Sequence, residues 1–441
     1  MIQNTPVNLI DLVISTSNAI DLVSHDVANH HKRVAFIALS IAREMGLSST
    51  SRRDLLYAAL LHDIGALNLK ERLNALEAWE GTAHDTHAEA AYLLLSKFRH
   101  FKKVAEIVRY HHTPWEHAVT VADDSISIES CILHLADRID SLIKMDRPIL
   151  GQATHISSTI SRRSGSNFMP ELTEVFSELA WKESFWLQLM DPQLEQQLSE
   201  EGWVSRVELD WDDLQDFSEI IAQLIDFRSR FTATHSSGVS TVAAIIANLV
   251  GFSEYECAKM KVAGYLHDVG KLAIPSEILE KPASLNSEEF QTIKSHAYYT
   301  HRILSSVTGL EDITAWASMH HERLDGQGYP FRQPGNTIPL GARIMAVADV
   351  FTALSETRPY REKSSREELL LEFEKLVRLR QIDGGIAAIL MEHYDDIERH
   401  RELSQRNATE AYDEYLTALE GYQRNAMRRN VSFMPSMTAI I

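Results

Sequence analysis

A chain of 441 residues exceeds one ordinary hydrophobic core, so two domains are expected, and 44% apolar with 24% charged residues describes a globular protein. A formal net charge of −19 argues against broad binding to DNA, RNA duplexes or acidic membranes, while leaving room for a small anion in a locally positive pocket. Cys131 and Cys257, the only cysteines, fall in different halves; no disulfide framework is readable, and with no leader-like N-terminus and no long apolar run a cytoplasmic setting is expected.

Taken in order, the chain reads as helix throughout. Val34, Ile37, Ile41 and Met45 follow a three–four rhythm, as do Val239, Val242, Ile246 and Leu249, and no run of alternating strands stands out. Gly46 and Gly251 are expected as helix C-caps. The fold class is therefore all-α.

An internal repeat organises these helices. Residues Ile20–Leu67 lie over Ile225–Leu272 at a constant shift of 205, which sets His30 on His235, Gly46 on Gly251 and Leu61-His62-Asp63-Ile64-Gly65 on Leu266-His267-Asp268-Val269-Gly270. From the first histidine to the second is 32 residues in both copies, 62 minus 30 and 267 minus 235. After short slips, His87 meets His296, His111-His112 meets His320-His321, and Ala136-Asp137 meets Ala348-Asp349. The expected organisation is a first domain over 1–192, a linker over 193–213, a second domain over 214–425 and a tail over 426–441. Trp203 and Trp211 in the linker suggest that it packs against something.

In the second half His235, His267, Asp268, His296, His320, His321 and Asp349 form a set of five imidazoles and two carboxylates. This mix suits Fe, Mn or Zn better than Mg or Ca. Any one of them reads equally well as a hydrogen-bonded core residue, but five inward imidazoles are hard to satisfy by packing alone. Asp268 and Lys271 stand three residues apart on one helical face. The run His320-His321-Glu322-Arg323-Leu324-Asp325-Gly326-Gln327-Gly328-Tyr329-Pro330 leads paired histidines into a tight turn, with positive φ expected at Gly326 and Gly328.

With these residues in view, the second half resembles the HD-GYP family of the HD phosphohydrolase superfamily, through His267-Asp268, Gly270-Lys271 and His321-Glu322 to Gly328-Tyr329-Pro330. The resemblance covers about Asp216 to Arg361. It implies tandem HD-type helical domains, the second of HD-GYP type, and a metal-dependent phosphodiesterase that opens cyclic dinucleotides, cyclic di-GMP or 3′,3′-cyclic GMP-AMP, to the linear 5′-phosphorylated product. By the same resemblance the seven residues above are ligands, Asp268 bridges two ions, and Lys271, Arg358 and Arg361 hold phosphates; Gly328 and Tyr329 shape the pocket wall. Some members carry a Glu four residues before the first histidine for a third metal. Here that residue is Phe231, so two divalent ions, Fe or Mn, are expected. A second copy of the chain or a signalling protein would be the macromolecular partner.

The first half keeps all seven ligand types as His30, His62, Asp63, His87, His111, His112 and Asp137, but Ala66 follows Gly65 and no Gly-Tyr-Pro loop follows the paired histidines. Three readings stand side by side: a metal site kept for stability, a sensor or dimerisation module, or a second phosphohydrolase acting as a 5′-nucleotidase on the linear product. For the whole chain the competing readings are a broader nucleotide phosphohydrolase and a non-catalytic receptor for the cyclic dinucleotide.

Overall fold

The computed structural model describes residues 7–22, 29–66, 84–121, 126–199, 206–227, 233–279, 281, 283–357 and 363–432. Trp203, Phe231, Arg358, Arg361, Met434 and Met437 lie outside the described residues. The described chain is helical almost throughout. The one departure from the all-helical expectation is a two-residue ribbon, in which Val7–Asn8 pairs antiparallel with Glu208–Leu209. Its buried side chains are Val7 and Leu209, too few in sequence to produce a readable alternation.

The helices start where side chains can accept their first N–H groups. Ser48 caps the helix Ser49–Leu61 and Ser253 caps the helix Glu254–Leu266, the same position in the two copies. Capping boxes pair Asp210 with Asp213, Ser253 with Glu256, Asn286 with Glu289 and Ser365 with Glu368. Gly46 (φ +70°) and Gly251 (φ +99°) take the left-handed C-cap conformation expected of them.

The chain divides into two compact units. The N-terminal unit is His31–Val204 with Ala411–Ile441. Its core collects buried Val34, Ile37 and Ile41 of the helix beginning at His30, Leu55–Leu61, Val104, Val108, Ile132 and Leu135, the helix Ser49–Leu61 packing on Lys102–Arg109 and Ile128–Ser141. Phe36, Phe185 and Trp186 extend that core, with Phe185 5.7 Å from Phe36 and 5.2 Å from Trp186 between ring centroids. The buried indole N–H of Trp186 donates to the Ala180 carbonyl at 2.9 Å.

The C-terminal unit is Ser205–Glu410 with Met1–His30. The helix His235–Val250 buries Val239, Val242 and Ile246 between the helices Glu254–Leu266 and Leu340–Ser355. The helix Leu9–Asp21 packs in this unit, against Ser287–Leu304 and the 3₁₀ turn Val269–Ala273. Leu12 and Val13 are buried, and Ser15 Oγ donates to the Ile303 carbonyl at 3.1 Å. The expected first domain of 1–192 therefore differs from the structure. The start of the chain joins the second unit, because its apolar face is covered there. Within the expected linker 193–213 the structure forms the helix Leu194–Ser199, a strand and the start of the helix Trp211–Asp226, where Trp211 packs edge-on against Tyr255. The expected tail is helical through Ser432.

Candidate metal centres

In both copies the His-Asp pair closes a helix. His267 caps the helix Glu254–Leu266 and Asp268 opens the 3₁₀ turn behind it; His62 and Asp63 end Ser49–Leu61 in the same way. The glycine two residues after the aspartate allows this turn to lie against the next histidine-bearing helix. A Cβ on Gly270 would sit 1.9 Å from the His296 carbonyl oxygen, and one on Gly65 would sit 2.1 Å from that of His87. Only glycine permits that approach.

The C-terminal unit brings all seven expected ligands together. His235, His267 and Asp268 form one trio and His296, His320 and His321 another, the ligand atoms of each within 4.8 Å of one another. Two carboxylates join the trios. Asp268 places Oδ2 3.2 Å from His267 Nε2 and Oδ1 3.3 Å from His296 Nε2. Asp349 places Oδ1 3.2 Å from His235 Nε2 and Oδ2 4.0 Å from His321 Nδ1.

The tautomers are set by backbone carbonyls of each histidine's own helical turn. Nδ1 of His267, His296 and His320 each donates to the carbonyl three residues earlier, at 2.8, 2.6 and 2.6 Å. With Nδ1 so occupied, each ring turns Nε2 inward, and burial keeps His296 and His320 neutral, with a bare lone pair there. His296 Nε2 and His320 Nε2 face each other at 3.4 Å with neither able to donate, and His267 Nε2 is buried without a hydrogen bond. Buried lone pairs opposed in this way are costly unless a cation lies among them. The donor set thus fits a divalent metal of the nitrogen-and-oxygen-binding kind.

Charge follows the same logic. Burial pushes His321 down to about 3, with His296 adding to the effect, and pushes His320 well below the usual imidazole range, so both are neutral, ligand-ready rings. Burial alone would raise Asp268 and Asp349. His267 and Lys271 outweigh it at Asp268, and His235 at Asp349, holding both carboxyls well below the usual range. His235 differs in sign: burial opposes its charge, but Glu356 and Asp349 raise it to about 10.

Lys271 Nζ lies 2.5 Å from Asp268 Oδ2, the i, i+3 pairing read from the sequence. The Gly-Tyr-Pro loop folds onto the site. Tyr329 stacks at 4.7 Å on the His321 ring, and its N–H donates to the His321 carbonyl at 3.2 Å. Gly326 has φ +74°, as expected; Gly328 does not have positive φ and is needed for close approach instead, since a Cβ there would lie 2.4 Å from Arg323 N. Glu322, quoted in the motif but given no role there, has a buried carboxylate that accepts the N–H groups of Phe331 at 2.7 Å and Gln333 at 3.0 Å and ties down the loop.

The first half of the sequence repeats the arrangement, with His30 the residue just before the N-terminal unit begins at His31. His30, His62 and Asp63 form one trio and His87, His111 and His112 the other. Asp63 again spans both, with Oδ2 3.5 Å from His62 Nε2 and Oδ1 3.3 Å from His87 Nε2, and Asp137 Oδ1 lies 3.8 Å from His62 Nε2. His62 and His111 donate Nδ1–H to Ala59 and Val108 carbonyls at 2.9 and 2.6 Å, and His111 Nε2 is buried without a hydrogen bond. This site has residues its twin lacks. His31 comes to 4.0 Å from Asp63, buried His134 donates to the His111 carbonyl at 2.8 Å, and Arg138 holds Asp137 Oδ2 at 2.5 Å. The repeat sets Ser236, Ala346 and Val350 at these places in the second copy. The two halves differ in sequence at these three places, but the sequence does not say what His31, His134 and Arg138 touch.

Two HD-domain family models match the chain, one over residues 27–142 and one over 219–386. A protein of Vibrio cholerae serotype O1 named as a 3′3′-cGAMP-specific phosphodiesterase is 30% identical over 395 residues, covering 87% of this chain and 91% of that protein. A cyclic di-GMP phosphodiesterase response regulator of Xanthomonas campestris is 42% identical over 144 residues, 32% of this chain and 38% of its own. The fold is shared with the crystal structure of another V. cholerae cyclic GMP-AMP phosphodiesterase, with a TM-score of 0.61 at 24% identity, over 88% of this chain and 98% of that one. The chain belongs to the HD-GYP family of HD-domain phosphodiesterases, with an additional HD domain ahead of the HD-GYP domain. Among the described residues no helix is long and apolar enough to cross a membrane.

Proposed function

We propose that the C-terminal unit is a metal-dependent phosphodiesterase that opens a cyclic dinucleotide, with 3′,3′-cyclic GMP-AMP preferred over cyclic di-GMP. What carries the preference is coverage: the similarity to the cGAMP-specific enzyme runs through both HD domains, whereas that to the cyclic di-GMP enzyme spans about a third of the chain. His235, His267, Asp268 and Asp349 on one side and His296, His320, His321 and Asp268 on the other would hold two divalent ions, Fe or Mn. Bound there, they supply Lewis-acid polarisation of the phosphoryl group and a water activated at neutral pH. Lys271 keeps Asp268 ionised and sets an ammonium charge where charge develops on the non-bridging phosphoryl oxygens. Arg358 and Arg361 are assigned to the second phosphate for their planar donor forks. Attack opposite the 3′ oxygen leaves the phosphate on the 5′ side of the linear dinucleotide. The two free cysteines, Cys131 and Cys257, accord with a cytoplasmic setting.

The same reading makes the N-terminal unit a phosphomonoesterase that removes this 5′ phosphate. Its support is a full ligand set with no loop like Glu322–Pro330 to hold a second phosphate. The direct test offers full-length protein equal amounts of 3′,3′-cyclic GMP-AMP and cyclic di-GMP with Mn(II), and anaerobically with Fe(II), and resolves the products by chromatography. Faster loss of the mixed dinucleotide is expected; equal rates, or the reverse order, overturn the preference.

A further inference from the structure

The metal-site histidines of the C-terminal unit do not all orient themselves in the same way. His267, His296 and His320 use a carbonyl of their own helical turn. His235 has no such carbonyl, because it is the first residue of the helix His235–Val250. Its Nδ1 instead meets the buried carboxylate of Glu356, at 3.1 and 3.2 Å from the two oxygens, leaving Nε2 toward Asp349 and the rest of the trio.

Glu356 is itself held. Gln405, on the helix Tyr394–Ser432, donates Nε2–H to Glu356 Oε1 at 2.6 Å and to the Thr234 carbonyl at 3.3 Å. Its amide orientation is fixed chemically, because Arg401 donates to Gln405 Oε1 and so leaves the NH₂ group for Glu356. Arg401 is buried and is in turn fixed by Glu398 through two bonds of 2.6 and 2.7 Å. The path is also cleared: a Cβ on Gly238, one turn after His235, would lie 2.7 Å from Gln405 Nε2. Ser404 adds a bond to the Ser237 carbonyl at 3.1 Å, holding the long helix on the same turn.

We propose that Glu356 and Gln405 are a positioning pair for the metal centre, Glu356 fixing the Nδ1–H tautomer and aim of His235 and Gln405 fixing Glu356, so that the turn Arg401–Gln405 of the long terminal helix is part of the metal site. The inference rests on His235 being a ligand. Carboxylates that hold a ligating imidazole typically contribute 10–100-fold to metal affinity.

The test uses the full chain with Asp63→Ala, so that the second site dominates the signal, and reads Mn(II) affinity by chelator competition together with the metal-free melting temperature. Glu356→Ala is expected to weaken Mn(II) binding by about 10–100-fold. Gln405→Glu, which sets two carboxylates against each other, should weaken it as well. Glu356→Gln, which keeps an acceptor for the Nδ1–H, should return affinity to within a few-fold of the parent. Unchanged affinity in Glu356→Ala, or a loss that Glu356→Gln does not rescue, overturns the pair. His235→Ala separates the two ideas: if it leaves affinity intact, the assignment of His235 as a ligand fails and the pair falls with it.

Discussion

His267 illustrates how a single residue is shaped as a candidate metal ligand. Its Nδ1 is spent on the Gly264 carbonyl, and its Nε2 is buried facing inward, 3.2 Å from Asp268 Oδ2. Lys271 stands on that aspartate, so Lys271→Ala should lower kcat by about 10²–10³ while bound metal, measured by elemental analysis, is retained. Loss of the metal instead would make the lysine structural. In the N-terminal unit, burial with Arg138 nearby holds His134 down to about 4. The unfolded chain takes up this proton near pH 6.5, so the group lowers stability progressively as pH falls from about 6.5 to about 4 and adds no pH dependence above that window. The integrated effect is on the order of 3 kcal/mol, so His134→Gln should flatten the acid limb of the metal-free chain's denaturant midpoint. The candidate ligands stood out in the sequence because the repeat displays them twice. The roles of His31, His134, Glu322 and Glu356 did not, since each acts through a neighbour that only the fold brings near.

At the scale of elements, two features do most of the positioning. The HD turn is legible as His-Asp-x-Gly, and the structure supplies the reason for the glycine, a carbonyl under 2.2 Å from any Cβ in both copies. The Gly-Tyr-Pro loop was legible as a turn, but not the way it is fastened. Glu322 receives two backbone N–H groups from across the loop, and no periodicity or turn rule signals that contact. Glu322→Ala leaves both donors unpaired and should cost about 1–3 kcal/mol for each that water does not reach. We expect a lower melting temperature and a raised KM with bound metal unchanged. An unaltered KM would show that the loop holds its shape without this carboxylate.

For the whole molecule, duplication was the most legible property, because a shift of 205, lengthening to 209 and then 212, preserves candidate ligands, caps and core together. The assignment of the first helix was not legible. Leu9–Asp21 has an apolar face in either arrangement, and a face tells that a helix is buried but not which core covers it. The two copies then diverge in a way that suggests a division of work. The second has Lys271, the fastened loop and the Glu356–Gln405 support for His235; the first has Arg138 and additional imidazoles around a comparable pair of trios.

The most direct measurement follows 3′,3′-cyclic GMP-AMP, with Mn(II) or anaerobic Fe(II), through the full-length protein and through its Asp268→Ala and Asp63→Ala variants, with products resolved by chromatography. The parent should pass through a linear 5′-phosphorylated dinucleotide and then lose its phosphate; Asp63→Ala should stop at the phosphorylated product, and Asp268→Ala should leave the ring intact. Ring opening that survives Asp268→Ala, or no turnover by the parent with either metal, would contradict a phosphodiesterase centred on Asp268.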